Sequence, residues 1–196
     1  LRAYTVVGID LAGSPKRETG MCTLRALSGS TTILFADDEI LQYVQAADPD
    51  LVAIDAPLTL PPGRKSIDDR NGEHYRECDL ELRRRKIPFF PITLGPMRML
   101  TVRGMALAKK LRRRGLKVIE IYPGGAQDVW ELPRQQHDRR RLRLGLAGLG
   151  IRGLSAKASG HELDAATGAL VGRLHLQGWA ELYGHKRGGI IVMPKG

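Results

Sequence analysis

The chain has 196 residues, enough for one domain with a sizeable core, and its 42% hydrophobic and 27% charged residues exclude a disordered chain. Lys and Arg number 31 against 21 Asp and Glu, a formal charge of +10 that favours a polyanionic partner, nucleic acid first among them. Cys22 and Cys78 are the only cysteines, and without CxxC or a His/Cys cluster they exclude a disulfide framework and structural zinc.

Leu1 to Asp10 is short, apolar and ends in a charge, which reads as a strand and not a signal peptide. No run approaches the roughly 20 apolar residues needed to cross a bilayer, so a soluble, cytoplasmic protein without membrane contact is expected. The first strand spans Tyr4 to Asp10 and leads into the turn Leu11-Ala12-Gly13-Ser14. Thr19 to Leu27 and Thr31 to Ala36 follow as strands, with Ser28-Gly29-Ser30 as the tight turn of an antiparallel meander. Leu41, Val44 and Gln45 give Asp37 to Ala47 helical spacing, with Asp37 or Asp38 as its cap. Leu51 to Asp55 is a strand stopped by Ala56-Pro57, and Pro61 to Asn71 is a loop.

Gly72 to Lys86 reads as a helix with Tyr75, Cys78 and Leu82 on one face and Arg76, Asp79 and Arg83 on another. A further helix opens near Pro96 and ends near Gly115. Lys117 to Tyr122 is a strand closed by Pro123-Gly124-Gly125, and short helices fill Ala126 to Gly150. Ser159 and Glu162 form a capping box at the head of a long helix expected to run to Tyr183. Gly188 to Met193 is the last strand. Three antiparallel strands, then strands alternating with helices, make a mixed-sheet α/β order.

Acids recur at strand ends: Asp10 in Val-Gly-Ile-Asp, Asp55 in Leu-Val-Ala-Ile-Asp and Glu120 in Val-Ile-Glu-Ile. A carboxylate after an apolar run costs folding energy unless something pairs with it, and sheets of this kind place sites at the carboxyl ends of parallel strands. Asp164 lies in the first turns of the capped helix, where the helix N-terminus favours negative charge. Gly168 and Gly172 share its stripe and point to close packing on the sheet. Three or four converging carboxylates repel one another without cations. Their hard oxygens select Mg²⁺ or Mn²⁺, and two such ions can clamp a phosphodiester.

The segments Val-Val-Gly-Ile-Asp-Leu-Ala-Gly-Ser (6–14), Ala-Ile-Asp-Ala-Pro-Leu (53–58), Arg-Glu-Cys-Asp (76–79), Ile-Glu-Ile-Tyr-Pro-Gly (119–124) and His-Glu-Leu-Asp-Ala (161–165) carry a resemblance in order along most of the chain. They are similar to the family catalogued as domain of unknown function 429, whose members are predicted nucleases of the ribonuclease H-like fold. That resemblance implies one ribonuclease H-like domain over residues 1–196, with helices on both faces of the sheet and an inserted loop and helix region at about 60–115. It matches Asp10 to a first-strand aspartate and Asp164 to the acid of a last helix. Asp55 and Glu120 match strand-end acids, and which of them completes the metal ligands stays open. Arg76 and Asp79 match a motif of the family, either a substrate clamp or an i,i+3 ion pair bracing the insertion. Ser14 and Lys16, in the turn after Asp10, complete the candidate substrate contacts.

The basic runs Arg83 to Lys86, Lys109 to Arg114 and Arg139 to Arg143 can hold phosphates or be solvated helix faces. Phe89-Phe90 can stack on bases or anchor its loop. His161, beside Asp164, can act on protons or serve the capping turn. Gly8-Ile9-Asp10, Gly13 and Thr19-Gly20 also resemble the phosphate-binding hairpin of actin- and sugar-kinase-type ATPases, although no repeat supplies their second half. The expected function is a two-metal nuclease using two Mg²⁺ or Mn²⁺ ions. The alternatives are a nucleotide-binding or phosphoryl-transfer protein, or a non-catalytic nucleic-acid-binding module.

Overall fold

The computed structural model describes residues 3–196, and Leu1 and Arg2 lie outside them. Strands β1 (Thr5–Asp10), β2 (Thr19–Arg25) and β3 (Ser28–Leu34) form the antiparallel meander. Its tight turn falls two residues earlier than expected, at Ala26 and Leu27. Ala26 there takes a φ of 54°, an unusual conformation for a residue with a side chain. Helix α1 (Asp37–Ala47) keeps its expected bounds. Its cap is Ala36, and neither Asp37 nor Asp38 fills that role: Glu39 accepts the Phe35 and Ala36 backbone N–H groups at 3.0 and 2.8 Å. Asp37 instead accepts from Arg103 Nε at 2.9 Å.

β4 (Leu51–Asp55) pairs parallel with β1, and β5 (Val118–Ile121) parallel with β4. Between them lie α2 (Glu77–Arg84) and α3 (Gly95–Arg113). α2 is shorter than expected because residues 72–76 run in bends and irregular chain. Pro123 does not merely close β5. It opens α4 (Pro123–Val129), where its fixed φ suits a first turn. α5 (Arg139–Gly148) and α6 (Gly160–Leu176) follow. α6 stops at Leu176 rather than Tyr183: Gly178 takes a φ of 77°, and Ala180–His185 is strand β6, paired antiparallel with β7 (Gly189–Pro194). The seven strands lie in the order β3-β2-β1-β4-β5-β7-β6. Among the described residues no helix is long and apolar enough to cross a membrane.

Period-two alternation sorts side chains onto two faces. Val7, Ile9, Val52 and Ile54 meet α1 and α3 through Ile40, Val44, Leu107 and Leu111. Val6, Leu51, Ala53 and Ile121 face α6 through Ala165, Ala166 and Ala169. A third cluster packs Cys78 and Leu82 of α2 on Tyr183, Ile191 and Met193 of the last two strands.

The capping box at α6 is formed as expected. Ser159 Oγ accepts from Glu162 N at 3.2 Å, Glu162 Oε2 accepts from Ser159 N at 2.8 Å, and Glu162 Oε1 takes the Thr31 hydroxyl of β3 at 2.7 Å. Gly168 and Gly172 do face the sheet, against Ile121 and Val6. The tightest approach comes from glycines on the strands. A Cβ on Gly8 would fall on the Ala165 carbonyl oxygen and 2.7 Å from Ala169 N. A Cβ on Gly20 would fall on the His161 carbonyl oxygen and 2.9 Å from Glu162 N.

These obstacles are backbone, which cannot swing aside. Gly8→Ala or Gly20→Ala is therefore expected to cost about 3 kcal/mol or more, the upper range for overpacking. Gly148→Ala in α5, with open space around its Cβ, should be neutral or slightly stabilising. Urea denaturation of the three variants checks this, and a Gly8→Ala protein as stable as the parent would contradict the close approach.

Candidate active site

Asp10 and Asp55 are direct register partners at the carboxyl ends of two adjacent parallel strands. Both fall on the α6 face, because they continue the alternation of Val6 and Gly8 and of Leu51 and Ala53. α6 lies across those strands, and its first turns bring His161 and Asp164 over them. His161 Nδ1 lies 2.7 Å from Asp10 Oδ2. Asp164 Oδ1 accepts from Gln127 Nε2 at 2.6 Å, and Gln127 also reaches Thr167 Oγ1 at 3.1 Å. Gln135 adds a hydrogen bond to Asp164.

The charges feel one another strongly. Burial, then the Asp10, Asp164 and Glu120 carboxylates, holds Asp55 well above the ordinary aspartate range. Burial and the Asp10 charge push Asp164 up to about 7, against the smaller opposing effects of Gln127 and His161. His161 is raised chiefly by its hydrogen bond to Asp10. Asp10, Asp55 and Asp164 thus lie within one another's electrostatic field.

Glu120 does not join them. Its register partner is Ile54, so it points to the opposite face of the sheet from Asp55. There both of its oxygens are committed. Oε2 accepts from Leu58 N and Arg76 Nη1, each at 2.8 Å, and Oε1 lies 2.8 Å from Arg76 Nη2. Arg76 completes its set with Asp79, through Nε at 3.1 Å and Nη2 at 2.8 Å, and with Thr59 Oγ1 at 3.4 Å. Arg76 and Asp79 are each 2% exposed. Their geometry is that of the brace rather than the clamp, since the guanidinium donors are already used.

Ser14 and Lys16 sit in the β1–β2 loop, Ser14 half-buried and Lys16 exposed. Ser14 Oγ accepts from Lys16 N at 3.3 Å. Gly20, one of the glycines of the kinase-like pattern, is explained by the α6 contact, and Thr19 Oγ1 accepts from Ala12 N at 3.1 Å. Of the basic runs, Arg84 and Arg85 are engaged with Glu77, Glu81 and Glu181. Arg139, Arg140 and Arg143 line a groove of about 300 Å³ that reaches Leu163, the neighbour of Asp164. Both thiols are buried, and burial pushes Cys22 up to about 12.

Gln127 was missed by sequence reasoning. It lies in Gly-Gly-Ala-Gln-Asp, which carries no periodicity or motif. Yet it is fully buried, and its Oε1 has no partner.

Among the described residues no three His, Cys, Asp or Glu side chains are drawn together tightly enough to hold a metal ion as they stand. The donor set nonetheless fits a hard divalent cation. It consists of carboxylates, each partly open to solvent, whose mutual repulsion is offset in part by His161 at Asp10 and by the Gln127 and Gln135 hydrogen bonds to Asp164.

The sheet order and its antiparallel-then-parallel pairing define a ribonuclease H-like fold. The chain belongs to the family described as Protein of unknown function (DUF429), whose model matches residues 8–187. Two solved structures share the fold. RuvC of T. thermophilus in complex with Holliday junction substrate is 13% identical, with a TM-score of 0.54 over 88% of this chain and 95% of that one. A second structure of Thermus thermophilus RuvC is 14% identical, with a TM-score of 0.50 over 89% and 96%. No curated protein matches the sequence.

Two outcomes follow from the charges. Arg76→Ala leaves Asp79 and Glu120 buried without their cation and should cost about 3–5 kcal/mol, read as a lower denaturation midpoint. A stable Arg76→Ala protein with weakened substrate binding would restore the clamp. Separately, Asp164 rises from 3.8 to about 7 on folding, so its contribution to stability is complete below about pH 4 and is lost as pH rises through about 7. His161, also raised, acts in the same direction. In chelator the protein should melt higher at about pH 5 than at about pH 8, and Mn²⁺ should raise the melting temperature more at about pH 8. A melting temperature in chelator that climbs between those pH values would contradict the coupled cluster.

Proposed function

We propose that the protein is a divalent-metal-dependent nuclease that hydrolyses nucleic-acid phosphodiesters by a two-metal mechanism. The observation that carries this reading is the coupled cluster of Asp10, Asp55 and Asp164 at the parallel strand ends, held under charge repulsion that a cation would relieve. The ribonuclease H-like fold and the excess of basic residues support it.

Asp10, Asp55 and Asp164 would hold two Mg²⁺ or Mn²⁺ ions. Bound there, the ions supply an activated water nucleophile and stabilise the leaving oxygen. The protein's own residues prepare that chemistry. Gln127 and Gln135 hydrogen-bond the Asp164 carboxylate and hold it in one orientation. His161 orients Asp10 through Nδ1, and its half-exposed ring can exchange a proton with solvent at Nε2. Glu120, Arg76 and Asp79 act as positioning residues: Glu120 holds Leu58 N and Arg76 holds Thr59, which fixes the chain just after Asp55. The groove of Arg139, Arg140 and Arg143 and the exposed Lys16 with Ser14 are the phosphate contacts we assign.

The test is a cleavage panel in Mn²⁺ and Mg²⁺ over single-stranded, duplex, hybrid and branched DNA and RNA, with Asp10→Asn beside the parent. The parent should cleave at least one class, and Asp10→Asn should cleave orders of magnitude more slowly. In chelator Asp10→Asn should melt at or above the parent, because one member of a self-repelling cluster has lost its charge. Cleavage by Asp10→Asn at the parent rate, or a melting temperature well below the parent in chelator, overturns the mechanism.

A further inference from the structure

Phe90 is 75% exposed, more than any other large apolar side chain among the described residues. A single exposed apolar side chain needs no explanation in itself, but the chain that carries it is firmly held. Tyr122 Oη donates to the Pro88 carbonyl at 2.5 Å, and Arg134 Nη2 donates to the same oxygen at 3.3 Å. Phe89 packs edge-to-face on Tyr75, with ring centroids 6.1 Å apart at 80°. Arg83 sits 4.1 Å from the Tyr75 centroid. The adjacent phenylalanines thus divide their roles: Phe89 anchors, and Phe90 is presented to solvent on a fixed support.

Phe90 also borders a cleft of about 170 Å³ that Ile92, Met97 and Leu100 wall with apolar surface and to which Asp55 contributes. Arg76, Asp79 and Glu120 add polar lining but are satisfied by one another. The cleft is smaller than the roughly 300–1,000 Å³ typical of small-molecule pockets. It suits one flat ring system, apolar on its faces, belonging to a larger ligand. An acidic occupant would meet the carboxylates, whereas a base carries no charge of its own.

We propose that this cleft receives one nucleobase of the substrate, stacked on Phe90, so that the adjoining phosphodiester lies at Asp55. The inference rests on the nuclease reading and gives its substrate class: nucleic acid in which a base next to the scissile bond is unstacked. In regular duplex both faces of every base are covered, and entering the cleft requires unstacking and unpairing. Single strands, frayed ends and branch points offer such a base without that cost.

The test measures affinity by fluorescence anisotropy on protein carrying Asp10→Asn, so that labelled oligonucleotides stay intact in Mg²⁺. Single-stranded or branched oligonucleotide should bind more tightly than uninterrupted duplex. Adding Phe90→Ser should weaken that binding by roughly ten-fold or more, the effect of losing one stacked base, and Phe90→Trp should restore it. Trp179→Ser, which removes another exposed aromatic beyond the C-terminal end of α6, should leave affinity unchanged. An oligonucleotide with one abasic position should lose affinity on the Phe90 protein, with no further loss on Phe90→Ser. Tight binding that ignores both Phe90→Ser and the abasic position overturns the base cleft while leaving the nuclease reading in place. Absence of binding to every nucleic acid, with absence of cleavage by the parent, overturns both.

Discussion

The site depends on one contact: the backbone of α6 pressed against the backbones of β1 and β2 where Gly8 and Gly20 carry no side chain. A helix ordinarily stands off a sheet by the thickness of two side chains. Here the Ala165 and His161 carbonyls occupy the space where strand Cβ atoms would be. The helix N-terminus therefore drops onto the strand ends, His161 reaches Asp10, and Asp164 enters the field of Asp55. Burial of Val6, Leu51, Ala165, Ala169 and their neighbours holds the helix down and opposes the repulsion that its arrival creates.

Strand parity then divides the acids into two groups with different fates. Asp10 and Asp55 face α6, while Glu120 faces the other way with its neighbour Ile54. On Glu120's side Arg76 arrives from just before α2, so Glu120 and Asp79 share a guanidinium and every strong donor is used. On the α6 side, among the described residues, the trio's direct bonds come from His161, Gln127 and Gln135 and from no guanidinium or ammonium group. A buried acid with a fixed cation is structural. A neighbouring set without one is poised for a ligand. The contrast between the two faces supports assigning the metal to one and the brace to the other.

Much of this arrangement was legible in the sequence, and the failures have identifiable causes. β4, α1 and the capped start of α6 are local signals: an apolar run ending in Asp, helical spacing, and Ser159 with Glu162. The end of α6 differs from the sequence pattern because Ala180-Glu-Leu-Tyr suits a helix by propensity, while Gly178 breaks it and pairing with β7 wins. The choice between Asp55 and Glu120 could have been made from alternation alone. In Val-Ile-Glu-Ile the two isoleucines flank the acid, so Glu120 must oppose them. Gly8 and Gly20 are visible as strand glycines, but only the third dimension shows what presses on them. Gln127 had no signal, because its role comes from meeting Asp164 across 37 residues of chain.

The two groups of acids nonetheless serve one wall. Leu58 and Thr59 follow Asp55 directly, and they are held from the braced face by Glu120 and Arg76. The backbone just after Asp55 is therefore fixed from the braced face. The cleft beside Phe90 is bounded by the same Arg76, Asp79 and Glu120. That wall is ordered by the protein's own hydrogen bonds, the kind of preorganisation a binding site requires. Loosening the brace would then blur the position of Asp55 and the shape of the cleft together, although neither Glu120 nor Arg76 belongs to the acidic trio.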